Sequence, residues 1–151
     1  MKTIWGFLCC LLLLCSLCAG VAAAEPIEVA NQAGIEAVLA QMNANSQSYE
    51  IELVADIDYV DDPMSCSAGT LTIYGNGHTL TFGGSSYMSI SEKAVVNLGS
   101  EAYEKKLVMR STNNTDSMIH MTGNARLVMH DGVQLNESTS FGNAGGIHMC
   151  G

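Results

Sequence analysis

Four carboxylates crowd the segment DIDYVDD: Asp56, Asp58, Asp61 and Asp62. Hard oxygen donors at that density are the chemistry of a calcium site. An EF-hand loop beginning at Asp56 needs a polar ligand at its fifth position and glycine at its sixth. Val60 and Asp61 stand there instead. The calcium-binding nonapeptide GGxGxDxUx does not occur either. The plainer reading is a row of acidic residues on a solvated turn.

A second constellation comes from a near-repeat. IHMTG (119–123) and IHMCG (147–151) recur 28 residues apart, so His120 and His148 occupy one repeat position. If Ile119 and Met121 face a core, alternation sends both histidines outward on neighbouring strands about 4.8 Å apart. Such a pair has the donor type for a transition metal, with His130-Asp131 nearby in the chain. Without a ligand it is a simple stack of exposed rings.

The elements that position these residues follow from a longer register. Sliding the chain by 31 lays Met88, Ile90, Ala94, Val96 and Leu98 on Ile119, Met121, Ala125, Leu127 and Met129. Each segment alternates apolar and polar residues, breaks, and resumes after an alanine. Strict alternation is the period of a half-buried strand. The breaks SEK and TGN read as corners, with Gly123-Asn124 tolerating positive φ. TLTIYGNGHTLTF (70–82) has the same grammar, Leu71 and Ile73 before the break and Leu80 and Phe82 after it. Gly-Asn-Gly could also close a hairpin, as in a hairpin-built sandwich binding module. The recurrence favours coils, because a coil cannot bury its inner face without neighbours above and below. The expected fold is all-β, a right-handed parallel β-helix.

A stack of coils exposes its first layer, which must be covered. Ile35, Val38, Leu39 and Met42 fall at i, i+3, i+4 and i+7, the stripe of an amphipathic helix. Asn31 is its candidate N-cap and NANS its stop. The organisation expected is a signal segment over 1–24, a strand and capping helix over 25–49, and coils over 50–151. The signal reading rests on Lys2, the apolar run FLCCLLLLCSL, and Ala22 and Ala24 at the −3 and −1 positions of a cleavage site. The competing reading of residues 3–24 is an anchoring transmembrane helix. Cleavage removes four of the six cysteines and leaves Cys66 and Cys150. Layers that advance about 4.8 Å each hold those two too far apart for a disulfide, so both are expected as free thiols. Because the charge of −9 becomes −10 once Lys2 is lost, nucleic acid and anionic membranes are poor partners. With only 6% aromatic residues and 15 glycines, the composition suits many short strands and turns.

The order helix, ELVADI, TLTIYGNGHTLTF, GGIHM resembles the start of secreted pectate-lyase-like β-helix proteins, above all the adhesin-like proteins of bacterial cell surfaces. There GNGHT marks an early coil, and Gly-Gly before an apolar strand marks later ones, as at Gly145-Gly146-Ile147. The likeness covers most of residues 27–151, and its motifs specify the coil more than any chemistry. It implies a secreted or surface-displayed, non-enzymatic scaffold, with carbohydrate or a host- or cell-surface ligand as partner and no cofactor. The alternative it implies is the first part of a polysaccharide-degrading enzyme with its active coils downstream. Pectate-type lyases use carboxylate-held calcium and an arginine base, but Arg110 and Arg126 lie in no recognisable lyase motif. No paired-aspartate or aspartate–histidine arrangement suggests the hydrolase type, and the two-carboxylate geometry of glycoside hydrolysis is not visible in a sequence. Asn113-Asn114-Thr115 and Asn136-Glu137-Ser138 match the glycosylation sequon, which matters only in a eukaryotic secretory route. IHMCG closes without the continuation that follows IHMTG, so the chain is expected to be an N-terminal fragment of a longer protein.

Overall fold

The computed structural model describes residues 25–100, 106–112, 117–136 and 146–150. The signal segment, the sequon at 113–115 and residues 137 and 138 of the second sequon lie outside them. In chain order the elements are β1 (Ile27–Val29), α1 (Gln32–Asn45), β2 (Ser48–Leu53), β3 (Ile57–Tyr59), β4 (Met64–Cys66), β5 (Thr70–Tyr74) and β6 (Thr79–Phe82). There follow β7 (Met88–Ile90), β8 (Val95–Leu98), β9 (Val108–Ser111), β10 (Ile119–Thr122), β11 (Arg126–Met129), β12 (Gln134–Asn136) and β13 (Ile147–Cys150).

Among the described strands, consecutive ones do not pair, apart from β1 with β2 across α1. The ladders run β1-β2-β5-β8-β11, β12-β9-β6-β3 and β13-β10-β7-β4, and every pair is parallel. Each run of three strands from β2 onward is therefore one coil that visits three sheets, and the coils stack as a parallel β-helix. Gly-Asn-Gly is a corner and closes no hairpin: β5 pairs with β2 and β8, while β6 pairs with β3 and β9. The 31-residue register is literal, since Met88 partners Ile119 and Val96 partners Leu127. The 28-residue one is too, with Ile119 opposite Ile147.

In-register stacking turns alternation into columns. Ile51, Ile73 and Leu98 form one inward column, and Met64, Met88 and Ile119 another, all with no exposed surface. Tyr59 sits under Phe82 with ring centroids 5.9 Å apart. Burying each such side chain fully contributes about 1.5–3 kcal/mol. The fourth coil is less covered. Met121, Leu127, Met129, Ile147 and Met149 line an open apolar trough of 420 Å³, and Met149 is 75% exposed.

The other end of the stack is closed by α1. Asn31 caps it, its Oδ1 accepting from the Gly34 N–H at 2.9 Å. Ser46 ends it in the left-handed region, its N–H donating to the Met42 carbonyl. The stripe Ile35, Val38, Leu39 and Met42 is buried against β2, β3 and β4, as its spacing predicts. Asn43 fastens the helix to the first coil: its Nδ2 donates to the Ser65 carbonyl at 2.9 Å, and its Oδ1 accepts from the Ser67 N–H at 2.9 Å.

The corners carry the backbone strain. Asn76 and Gly77 both take positive φ, 52° and 86°. Gly75, just before them, is required for a different reason: a Cβ there would lie 2.3 Å from the Leu107 Cα and 2.4 Å from the Lys106 carbonyl oxygen. Two coils touch through backbone at that corner. Gly75→Ala should therefore destabilise the fold by ~3 kcal/mol, since the obstacle is backbone and cannot rotate away. Gly77→Ala, with open space around it, should cost only about 1–2 kcal/mol of conformational strain. Chemical denaturation followed by circular dichroism checks the order. Equal losses would mean that the close approach of the coils at Gly75 does not exist.

Candidate functional site

Because inward positions are spent on the core, chemistry is confined to the outward columns and the corners. The DIDYVDD carboxylates are dispersed by the fold. Asp56 sits at a corner where its Oδ1 accepts from the Thr79 N–H at 2.9 Å and lies 3.3 Å from His78 Nδ1. Those contacts, the Thr79 amide foremost, hold its carboxyl below the usual range. Asp58 points outward from β3 beside Thr81. Asp61 adopts φ 75°, and its carbonyl accepts from Ser85 Oγ at 2.9 Å. Asp62 lines a groove of 320 Å³ between α1 and the first coil, with Glu36, Asn43, Tyr59 and Ser65. Neighbours in sequence thus go to a corner, a strand face, a turn and a groove.

On the outer face of the β4–β7–β10–β13 sheet, register produces the column Ser65, Ser89, His120, His148. The His120 and His148 rings meet edge to face, centroids 5.5 Å apart. Tyr87, just before β7, packs its ring on His120 at 4.4 Å. Cys150 lies two residues beyond His148 on the same face, its Sγ 3.6 Å from Nε2 and 3.8 Å from Nδ1. His130 and Asp131 sit at a different corner, after β11. As the side chains stand, no three His, Cys, Asp or Glu donors among the described residues close on one point. Alternation alone puts Cys150 beside His148. The stacking of Tyr87 was not readable, because it depends on how the connection into β7 is laid.

The β2–β5–β8–β11 sheet presents a polar outer face. The Tyr74 hydroxyl donates to Glu50 Oε2 at 2.8 Å, and Asn97 Nδ2 donates to Thr72 Oγ1 at 3.2 Å. Arg126 lies on this sheet's last described strand, opposite Val95. Arg110 is on the third sheet, in the outward column Asp58, Thr81, Arg110, Asn136. The two arginines are thus on different faces.

Both cysteines among the described residues are free, Cys66 buried and Cys150 exposed. They share a sheet, with β7 and β10 between their strands. Three steps of about 4.8 Å exceed disulfide reach, as the sequence reading expects. Burial pushes the Cys66 thiol up to about 12. Burial, reinforced by Glu36, does the same to the Tyr59 phenol, also to about 12.

The profile of the family described as "Putative pectate lyase-like adhesive domain" matches residues 29–145. No curated protein and no solved structure gives a significant match. The match spans α1 and nearly all the coils, and the chain belongs to that family.

Two thiols in such different surroundings should behave differently. Iodoacetamide on the native protein should alkylate Cys150 readily and Cys66 far more slowly, because burial both shields the Cys66 thiol and suppresses its thiolate. Peptide mass mapping would read this, and comparable labelling would contradict the burial of Cys66. A thiol whose folded pKa is raised contributes stability in full below its ordinary pKa, and loses it as pH rises through the folded value. The denaturation midpoint should thus fall as pH rises from 9.0 toward about 12. Cys66→Ala should delay the onset to near 10.0, where the Tyr59 contribution begins to fade.

Proposed function

We infer that this pectate lyase-like adhesive-domain protein is a secreted or surface-displayed scaffold that works by holding a ligand rather than by turning one over. The family match over 29–145 carries the reading, since the description of that family is adhesive. Secretion follows from the tripartite segment 1–24, with cleavage after Ala24. The ligand class is a carbohydrate or another component of a cell surface. Stacked coils suit such a ligand, because their outward columns repeat hydroxyl, amide and carboxylate groups every 4.8 Å or so along a rigid face. Glu50, Thr72, Tyr74 and Asn97 are the residues placed to meet it. An acidic chain of net charge −9 disfavours nucleic acid as the partner.

A lyase-like fold keeps the alternative of polysaccharide cleavage worth testing directly. The protein should be retained on polysaccharide-coated or whole-cell surfaces without producing unsaturated or reducing sugar ends from polygalacturonate, with or without added calcium. Turnover that rises with calcium would replace the adhesive reading with an enzymatic one. N-terminal sequencing of the exported protein should begin at Glu25, and a retained leader would overturn the cleavage.

A further inference from the structure

We propose that the open end of the coil stack is a self-association surface, on which a second copy of this chain sits end to end, related by a two-fold axis. The surface is separate from any ligand that the outer faces hold. Its 420 Å³ trough is floored by the last members of the inward columns. Leu127 continues Val96 and Met129 continues Leu98, while Ile147 continues Ile119 and Met149 continues Met121. Val96, Leu98 and Ile119 have no exposed surface, whereas Met129 is 41% and Met149 75% exposed. The ladders stop at the same level. Among the described strands β11, β12 and β13 are each paired on one side only, so three strand edges that can template further pairing ring an apolar floor.

What fits such a surface is another ring of strand edges around another apolar floor. Among the described residues, only the same surface of a second copy offers both. At the opposite end α1 lies across β2, β3 and β4 and buries its stripe on the first coil, so a partner's coil cannot reach those edges. Joining open end to capped end would also set the trough on the solvated side of α1, where Glu36 and Gln41 are exposed. Open end on open end is an isologous contact, self-complementary by symmetry and closed at two copies. The two-fold axis crosses the stack, so strands meet antiparallel at the joint, a sound ladder geometry.

Charge favours the same arrangement. Residues 25–62 carry nine carboxylates and no Lys or Arg. From residue 93 onward five bases (Lys93, Lys105, Lys106, Arg110 and Arg126) offset five carboxylates. The acidic pole is therefore the capped end, and the open end is balanced. Joined at their open ends, two copies hold their first coils about seven layers apart, roughly 34 Å, several Debye lengths at physiological salt. Contact through the capped ends would press the acidic poles together.

Sedimentation equilibrium of the exported chain, kept reduced so that Cys150 cannot link copies, is the test. A reversible monomer–dimer equilibrium is expected, with no larger species. Amide exchange over 126–129 and 147–150 should slow as the dimer fraction rises. Met149→Glu alters a largely exposed side chain and brings two carboxylates to the joint. It should weaken dimerisation at least about tenfold and leave the circular dichroism spectrum unchanged. Ala40→Glu, on the exposed side of α1, should leave dimerisation as it is. Monomers at every concentration would overturn the proposal, as would a dimer indifferent to Met149→Glu. Growth beyond two copies, or association lost in Ala40→Glu, would make the capped end the partner surface and overturn it too. A monomer whose melting temperature Met149→Glu lowers would show the trough filled by a stretch of the same chain, and the proposal would fall.

Discussion

The parallel, in-register hydrogen-bond ladder between successive coils is the interaction on which the rest of the structure depends. Each coil has too few residues to bury its own inner face. Only the ladder aligns Ile51 with Ile73 and Met88 with Ile119, so that apolar side chains meet like side chains above and below. A slip of one residue would turn a whole inner column outward. The same ladder dictates the corners. Chains that stack at strand spacing must also stack where they turn, which brings the coil at Lys106 and Leu107 against Gly75 and leaves no room for a side chain there.

Function inherits these constraints. Residues facing in are committed to packing, so any ligand must be read by outward columns or by corners. Neighbours within a column come from distant parts of the chain, and neighbours in sequence are sent to opposite faces. His120 and His148 are 28 residues apart in the chain and in ring contact in space. Asp61 and Asp62 are adjacent in the chain, yet one faces a turn and the other the groove beneath α1. The ends of the ladder pose a separate problem. The buried stripe of α1 shields the first coil, whereas Met149 and its neighbours on the fourth remain open.

This division explains what the sequence reveals. Periodicity reports burial, so the inward columns, the helix stripe and the outward direction of the histidines could be read from alternation and recurrence. The 31-residue offset even supplied the correct partners, because an in-register ladder maps sequence repeats straight onto spatial ones. The acidic cluster is dispersed for the complementary reason: it straddles β3 and two corners, and proximity in sequence does not survive a change of face. Tyr87 against His120 and Asn43 against Ser65 and Ser67 were invisible, since each depends on the path of a connection with no period of its own.

The most direct test of the stacked-coil account is a nuclear Overhauser map of the backbone in solution. It should contain sequential-register contacts from Met88 to Ile119 and from Ile119 to Ile147, with none linking Leu71–Ile73 to Leu80–Phe82. Antiparallel Hα–Hα contacts between those last two segments would make Gly-Asn-Gly a hairpin, and the parallel ladder would fall with that result.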